Sequence, residues 1–100
     1  MTDAWILKDR EPVPVELMEW AHWFERATKD GSRIIKKTGD GDVRVSTVFI
    51  GLHEDLFETM IFNGPHDQYQ ERCETYDEAL SQHEKACSIA FPSTSAAEPK

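Results

Sequence analysis

Cys73, His83 and Cys87 come nearest, in type and spacing, to a reactive or metal-binding set. His83 and Cys87 stand four residues apart, so a helix would place both on one face, a usable spacing for two tetrahedral zinc ligands. A neighbouring strand could bring Cys73 close, and His53 or His66 would have to supply the fourth ligand. The chain has no Cys-x-x-Cys and no His-x-x-x-His. The ordinary reading of the same residues is two small core thiols and a histidine at the core edge with a ring nitrogen bonded to a neighbour. A Cys–His–acid nucleophile on Cys73 or Cys87 meets the same objection, because a thiol on the apolar stripe of a helix is buried and inert. The expectation is no catalytic residue, no cofactor and no resident metal.

The other polar constellations have ordinary readings beside their chemical ones. His53-Glu54-Asp55 gathers three titratable groups, but a polar hairpin turn needs such residues for its own geometry. Gly39-Asp40-Gly41-Asp42 contains Asp-x-Asp, as calcium loops do, yet lacks the later ligands of such a loop, so it reads as a hairpin turn. Glu58 stands mid-strand among apolar residues, where an unpaired carboxylate is costly, so Arg44 and Arg72 on neighbouring strands are its expected partners. Trp20, Trp23 and Phe24 could form an aromatic platform, but their helical spacing reads as core.

These residues need elements to hold them. Residues 1–14 offer a short edge strand at Trp5–Lys8, a polar turn at Lys8–Glu11, and an extended entry set by Pro12 and Pro14. Over 15–29 the apolar positions Leu17, Trp20, Ala21 and Phe24 fall on one helical face. Glu25 and Lys29 pair at i, i+4, and Gly31 suits a left-handed C-terminal stop. Strands follow at 33–38, 43–52, 56–63 and 68–74. In the second, Val43, Val45, Thr47 and Phe49 face one way and Val48, Ile50 and Leu52 the other, so it belongs in the middle of the sheet. The short loop at 53–55 makes it a hairpin with the third. Thr75 and Glu78 fit a capping box, opening a helix over 76–90 with Ala79, Leu80, His83, Ala86, Cys87 and Ala90 on one stripe. The expected fold is α+β: an antiparallel sheet of three to four strands packed on one face by two helices, with the first helix as main core donor. One domain is expected over 1–91, with a disordered Ser-, Ala- and Pro-rich tail at 92–100.

Val45-Ser46-Thr47-Val48-Phe49-Ile50-Gly51-Leu52 with Leu56-Phe57-Glu58-Thr59-Met60-Ile61-Phe62 resembles a group of small uncharacterised proteins encoded by bacteriophages and prophages. Trp5-Ile6-Leu7, Pro12–Val15, Trp20–Glu25, Glu71-Arg72, Thr75, Glu78-Ala79 and His83 are similar to the same group, so the resemblance covers roughly residues 5–87. This chain departs from the group in its short His53–Asp55 loop, where relatives often carry a longer Asp-His loop rich in Gly and Pro. It also departs at Cys73, more often Tyr. The resemblance implies a setting, a phage protein in a bacterial host cytoplasm, and brings no activity.

Charge narrows the function classes. The 100 residues carry 11 Lys+Arg against 19 Asp+Glu, a formal charge of −8. That argues against direct nucleic-acid binding, which needs a basic excess. No apolar run reaches membrane-spanning length, the N-terminus does not read as a secretory signal, and two cysteines make no disulfide framework, so the expected location is cytoplasmic. The charge is unevenly spread: residues 26–44 are net +3 and residues 54–84 net −8. The leading expectation is therefore a small accessory protein that binds a basic partner protein through Glu54, Asp55, Asp67, Glu71, Glu74, Asp77, Glu78 and Glu84. Inhibiting a host nucleic-acid-handling or defence protein is one form of it. The alternatives are a metal-binding or hydrolytic protein using His53, Cys73, His83 and Cys87, and a self-associating module, including a homodimer. Acidic faces also serve solubility alone.

Overall fold

The computed structural model describes residues 3–91. The expected tail, 92–100, lies outside the described residues. Six strands and two helices follow in the order β1 (Ala4–Lys8), β2 (Glu11–Val15), α1 (Leu17–Asp30), β3 (Ile34–Asp40), β4 (Val43–Leu52), β5 (Asp55–Phe62), β6 (Gln70–Cys73) and α2 (Tyr76–Ala90). The class is α+β, as expected, but the antiparallel sheet has six strands rather than three or four.

The extra strands are β1 and β2, a hairpin turned at Asp9-Arg10 with Lys8 opposite Glu11. Trp5–Lys8, expected at an edge, pairs with β2, and β1 joins the rest of the sheet at its start, where Ala4 meets Leu52 of β4. Pro12 and Pro14 lie on the edge strand β2, the one place where missing N–H groups cost the ladder nothing.

β4 is the central strand, paired with β5 along one side and with β3 and then β1 along the other. Its alternation is as read from the sequence. Val45, Thr47 and Phe49 are buried together with their β5 partners Ile61, Thr59 and Phe57. α2 lies across this face, contacting β3 to β6. Ala79 and Ala86 let it come close: Ala79 packs with Phe49 and Phe57, Ala86 with Val45 and Ile61. A capping box fixes its start. The Thr75 hydroxyl accepts from the Glu78 amide at 3.1 Å and the Glu78 carboxylate accepts from the Thr75 amide at 3.2 Å. Thr75→Ala should therefore cost about 1 kcal/mol, seen as a fall of about 4–8 °C in the thermal midpoint.

α1 does not donate most of the core. Only Ala27 of this helix is buried, while Leu17 and Met18 are 61% and 67% exposed. Its aromatic residues seal one end instead. Trp23 meets Phe49 edge-on at 5.6 Å, and the Trp20 indole donates to the Ile50 carbonyl at 3.0 Å. Gly31 ends the helix at φ 83°, the left-handed stop expected there.

The opposite face of the sheet carries Lys37 of β3, Arg44, Ser46 and Val48 of β4, Glu58, Met60 and Phe62 of β5, and Gln70 and Arg72 of β6. α2 leaves this face uncovered.

Candidate functional site

Charge and shape coincide where β6 meets the start of α2. Among the described residues, the edge strand β6 pairs only with β5. Between β6 and α2 runs an open groove of about 500 Å³, lined by Glu71, Arg72, Cys73, Asp77, Glu78, Ser81, Gln82 and Lys85. A second depression, lined by Arg10, Glu11, Pro12, Glu74, Thr75, Tyr76 and Asp77, adjoins it through Asp77. Arg10 lies 5.0 Å from the Tyr76 ring centroid, which ties the β1–β2 turn to this region.

The eight acidic residues named from the sequence do not act as one surface. Glu71 accepts from the Tyr69 hydroxyl at 2.8 Å and lies 3.4 Å from the Lys85 ammonium. Glu78 caps α2. Glu84 pairs with Lys36 at 2.9 Å, a contact that lowers the Glu84 carboxyl and raises the Lys36 ammonium from their ordinary values. Asp67 accepts from the Asn63 amide at 2.6 Å, and Asp55 meets Arg72 at 3.3 Å. Glu54, Glu74 and Asp77 are exposed and have no side-chain partner among the described residues. Glu54 sits at the β4–β5 turn and lines neither depression; Glu74 lines the second and Asp77 lines both. Asp77 also lies in the first turn of α2, where the helix dipole favours an anion.

Glu58 has the Arg72 partner expected for it, at 3.1 Å. Arg44 is not its second partner. It stands opposite Phe62, four register pairs along β4 from the Val48–Glu58 pair, too far along the strand to share a carboxylate.

The His and Cys residues are separated rather than brought together. His83 is fully buried with both ring nitrogens occupied: Nδ1 lies 2.8 Å from the Thr47 hydroxyl and Nε2 2.9 Å from the Thr38 hydroxyl. The chain of bonds continues from Thr47 to Thr59 at 2.7 Å, then to Gln82 at 2.9 Å, whose amide also donates to the Glu71 carbonyl at 3.0 Å. Gln82 was not anticipated. It interrupts the apolar stripe, and only the buried Thr59 it faces shows why it is inside. Burial, and then Lys36, hold the His83 imidazole below its ordinary range, with Glu84 opposing.

Cys73 packs near Phe57 and Cys87 near Val45 and Ile61, in two different core clusters. His53 stands at the hairpin turn, 4.0 Å from Asp3. Among the described residues, no group of three or more His, Cys, Asp or Glu side chains is placed to hold a metal. The Cys73 thiol is pushed from 9.0 to about 11, first by burial and then by Glu78. That leaves about a hundredfold less thiolate at pH 8. The higher basicity of the sulfur returns part of that loss, so thiol-specific reagents should modify Cys73 roughly tenfold more slowly in the folded chain than after unfolding. Timed alkylation with peptide mapping checks this; equal rates would contradict it.

No family model matches this chain, and neither curated proteins nor solved structures give a match. No helix among the described residues is long and apolar enough to cross a membrane.

Proposed function

We propose that this chain is a small binding protein that docks a basic surface of a partner protein along the β6–α2 side. The observation that supports the reading best is the placement of Glu74 and Asp77. Among the described residues they are exposed carboxylates without a side-chain partner that border an open groove beside an edge strand, with Glu71 and Glu78 in its wall. A basic partner would be drawn by the net charge of −8 and oriented by these residues. The resemblance to phage and prophage proteins supports a bacterial host cytoplasm as the setting. It also supports a host protein that handles nucleic acid as the partner, because such a protein carries the basic surface this groove would cover.

Glu74→Gln with Asp77→Asn separates docking from folding, since neither carboxylate has a side-chain partner among the described residues and Asp77 gives up only its favourable place at the α2 N-terminus. Affinity capture from host lysate with the wild-type chain should retain a basic protein that elutes at raised salt. The double variant should retain several-fold less of it, while its circular dichroism is unchanged. Equal retention by both chains would contradict the reading.

A further inference from the structure

The two ends of the sheet are finished differently. β2 closes one with Pro12 and Pro14. β6 ends the other, carries no proline, and has an open groove beside it. In an antiparallel ladder the backbone groups of successive residues point to opposite sides. The Ile61 amide donates to the Tyr69 carbonyl at 3.1 Å, so Tyr69, Glu71 and Cys73 turn their N–H and C=O groups towards β5. Gln70 and Arg72 turn theirs to the free edge, where no strand among the described residues meets them. The facing wall of the groove is one stripe of α2: Asp77, Ser81 and Lys85 at i, i+4 and i+8, with Glu78 and Gln82 beside them. Lys85 reaches Glu71 across it at 3.4 Å, an exposed pair that an incoming cation can replace at little cost.

We propose that the groove takes an extended segment of the partner protein, which adds to β6 as a further antiparallel strand and carries Lys or Arg at alternate positions. The inference rests on the docking reading and specifies how the partner is held. A free strand edge facing a helix stripe offers backbone bonds on one side and side-chain contacts on the other. The bonds go to Gln70 and Arg72, antiparallel like every other pair in this sheet. Side chains of the added strand alternate between the two faces. Those on the α2 side meet Asp77 and Glu74, so the cations belong there. Those on the other side stand beside Gln70 and Arg72, where a second cation would be repelled. Opposite residues of an antiparallel pair share a face, so the uncharged positions are the ones whose N–H points at β6. The four residues of β6, at about 3.3 Å each, give an edge of about 13 Å, so the segment is short and the binding weak.

Fluorescence anisotropy of a labelled, alternating Lys-Val peptide with the full chain at low salt tests this. Methylating the backbone nitrogens of the valines removes the N–H groups aimed at β6 and should weaken binding about tenfold or more. Methylating those of the lysines, which point away from β6, should change it by no more than about twofold. Gln70→Pro should weaken binding of the unmethylated peptide as the valine methyl groups do. The N–H it removes faces the free edge, so β5 loses no ladder bond, and circular dichroism verifies the fold. A peptide that binds, and loses affinity in the Glu74→Gln, Asp77→Asn chain, yet ignores both the place of the methyl groups and Gln70→Pro, overturns strand addition and leaves the docking reading standing. A peptide that does not bind at all overturns both.

Discussion

Gly51→Ala should lower stability by about 3 kcal/mol or more, a fall of at least about 12 °C in the thermal midpoint. Gly51 is buried in β4 at φ 72°, at the irregularity that ends the regular β4–β5 register after Phe49. A Cβ there would lie 2.2 Å from the Trp5 carbonyl oxygen and 2.5 Å from the Phe49 ring. Phe49 could turn aside only by disturbing Phe57 and Trp23, and the Trp5 carbonyl belongs to β1 and moves only with its strand. The change therefore strains the backbone and forces β1 from β4 at the point where the hairpin joins the sheet. Gly41→Ala is the matched control. It carries φ 62° but has nothing within 4 Å, so it should cost only the left-handed backbone preference, about 1–2 kcal/mol. Thermal unfolding of the pair measures the difference. A Gly51→Ala drop no larger than that of Gly41→Ala would contradict the close approach of β1 and β4.

His83→Ala should cost about 3–5 kcal/mol, the range for deleting a large buried ring, because it opens a cavity beneath α2 and strips partners from the Thr38 and Thr47 hydroxyls. Thr47→Val keeps the volume and removes one hydroxyl, leaving the His83 Nδ1 without its partner, so about 1–3 kcal/mol is expected. The same histidine gives a pH dependence. Its folded value lies below the ordinary 6.5, so at low pH the unfolded chain binds a proton that the folded chain resists. Stability from this group is complete above about pH 6.5, falls as pH drops from there to the lowered folded value, and is level below it. Lowered carboxylates such as Glu84 act only below about 4.5. Urea midpoints at pH 7.5 and 5.5 should fall for the wild type and change less for His83→Gln. An equal fall in both would assign the dependence to other groups.

α2 and the β4–β5 hairpin were legible because their signals are local: a capping box of four adjacent residues, and a strand with two apolar faces. Other features depend on residues far apart in sequence. Pro12 and Pro14 suggest that no ladder forms, and only the edge position of β2 reconciles them with one. The large side chains of α1 drew weight as core, yet a helix packs close to a sheet through small residues, and Ala79 and Ala86 of α2 carry that contact. Nothing near Gly51 in sequence announces the Trp5 carbonyl. The acidic segment was counted correctly, but a count cannot see that Glu71, Glu78, Glu84, Asp67 and Asp55 are tied to groups on other elements or turns. Among the described residues, what stays exposed and unpartnered at the groove is Glu74 and Asp77.

The docking reading is tested most directly by titrating the ¹⁵N-labelled chain with a Lys/Arg-rich peptide at low salt and following its amide resonances. The account predicts shifts concentrated on Glu71–Lys85 and the Arg10–Pro12 turn, reversed by added salt and reduced several-fold in the Glu74→Gln, Asp77→Asn chain. Shifts spread evenly over the acidic residues, or centred on Glu54 or Glu84 and unchanged in that variant, would contradict it.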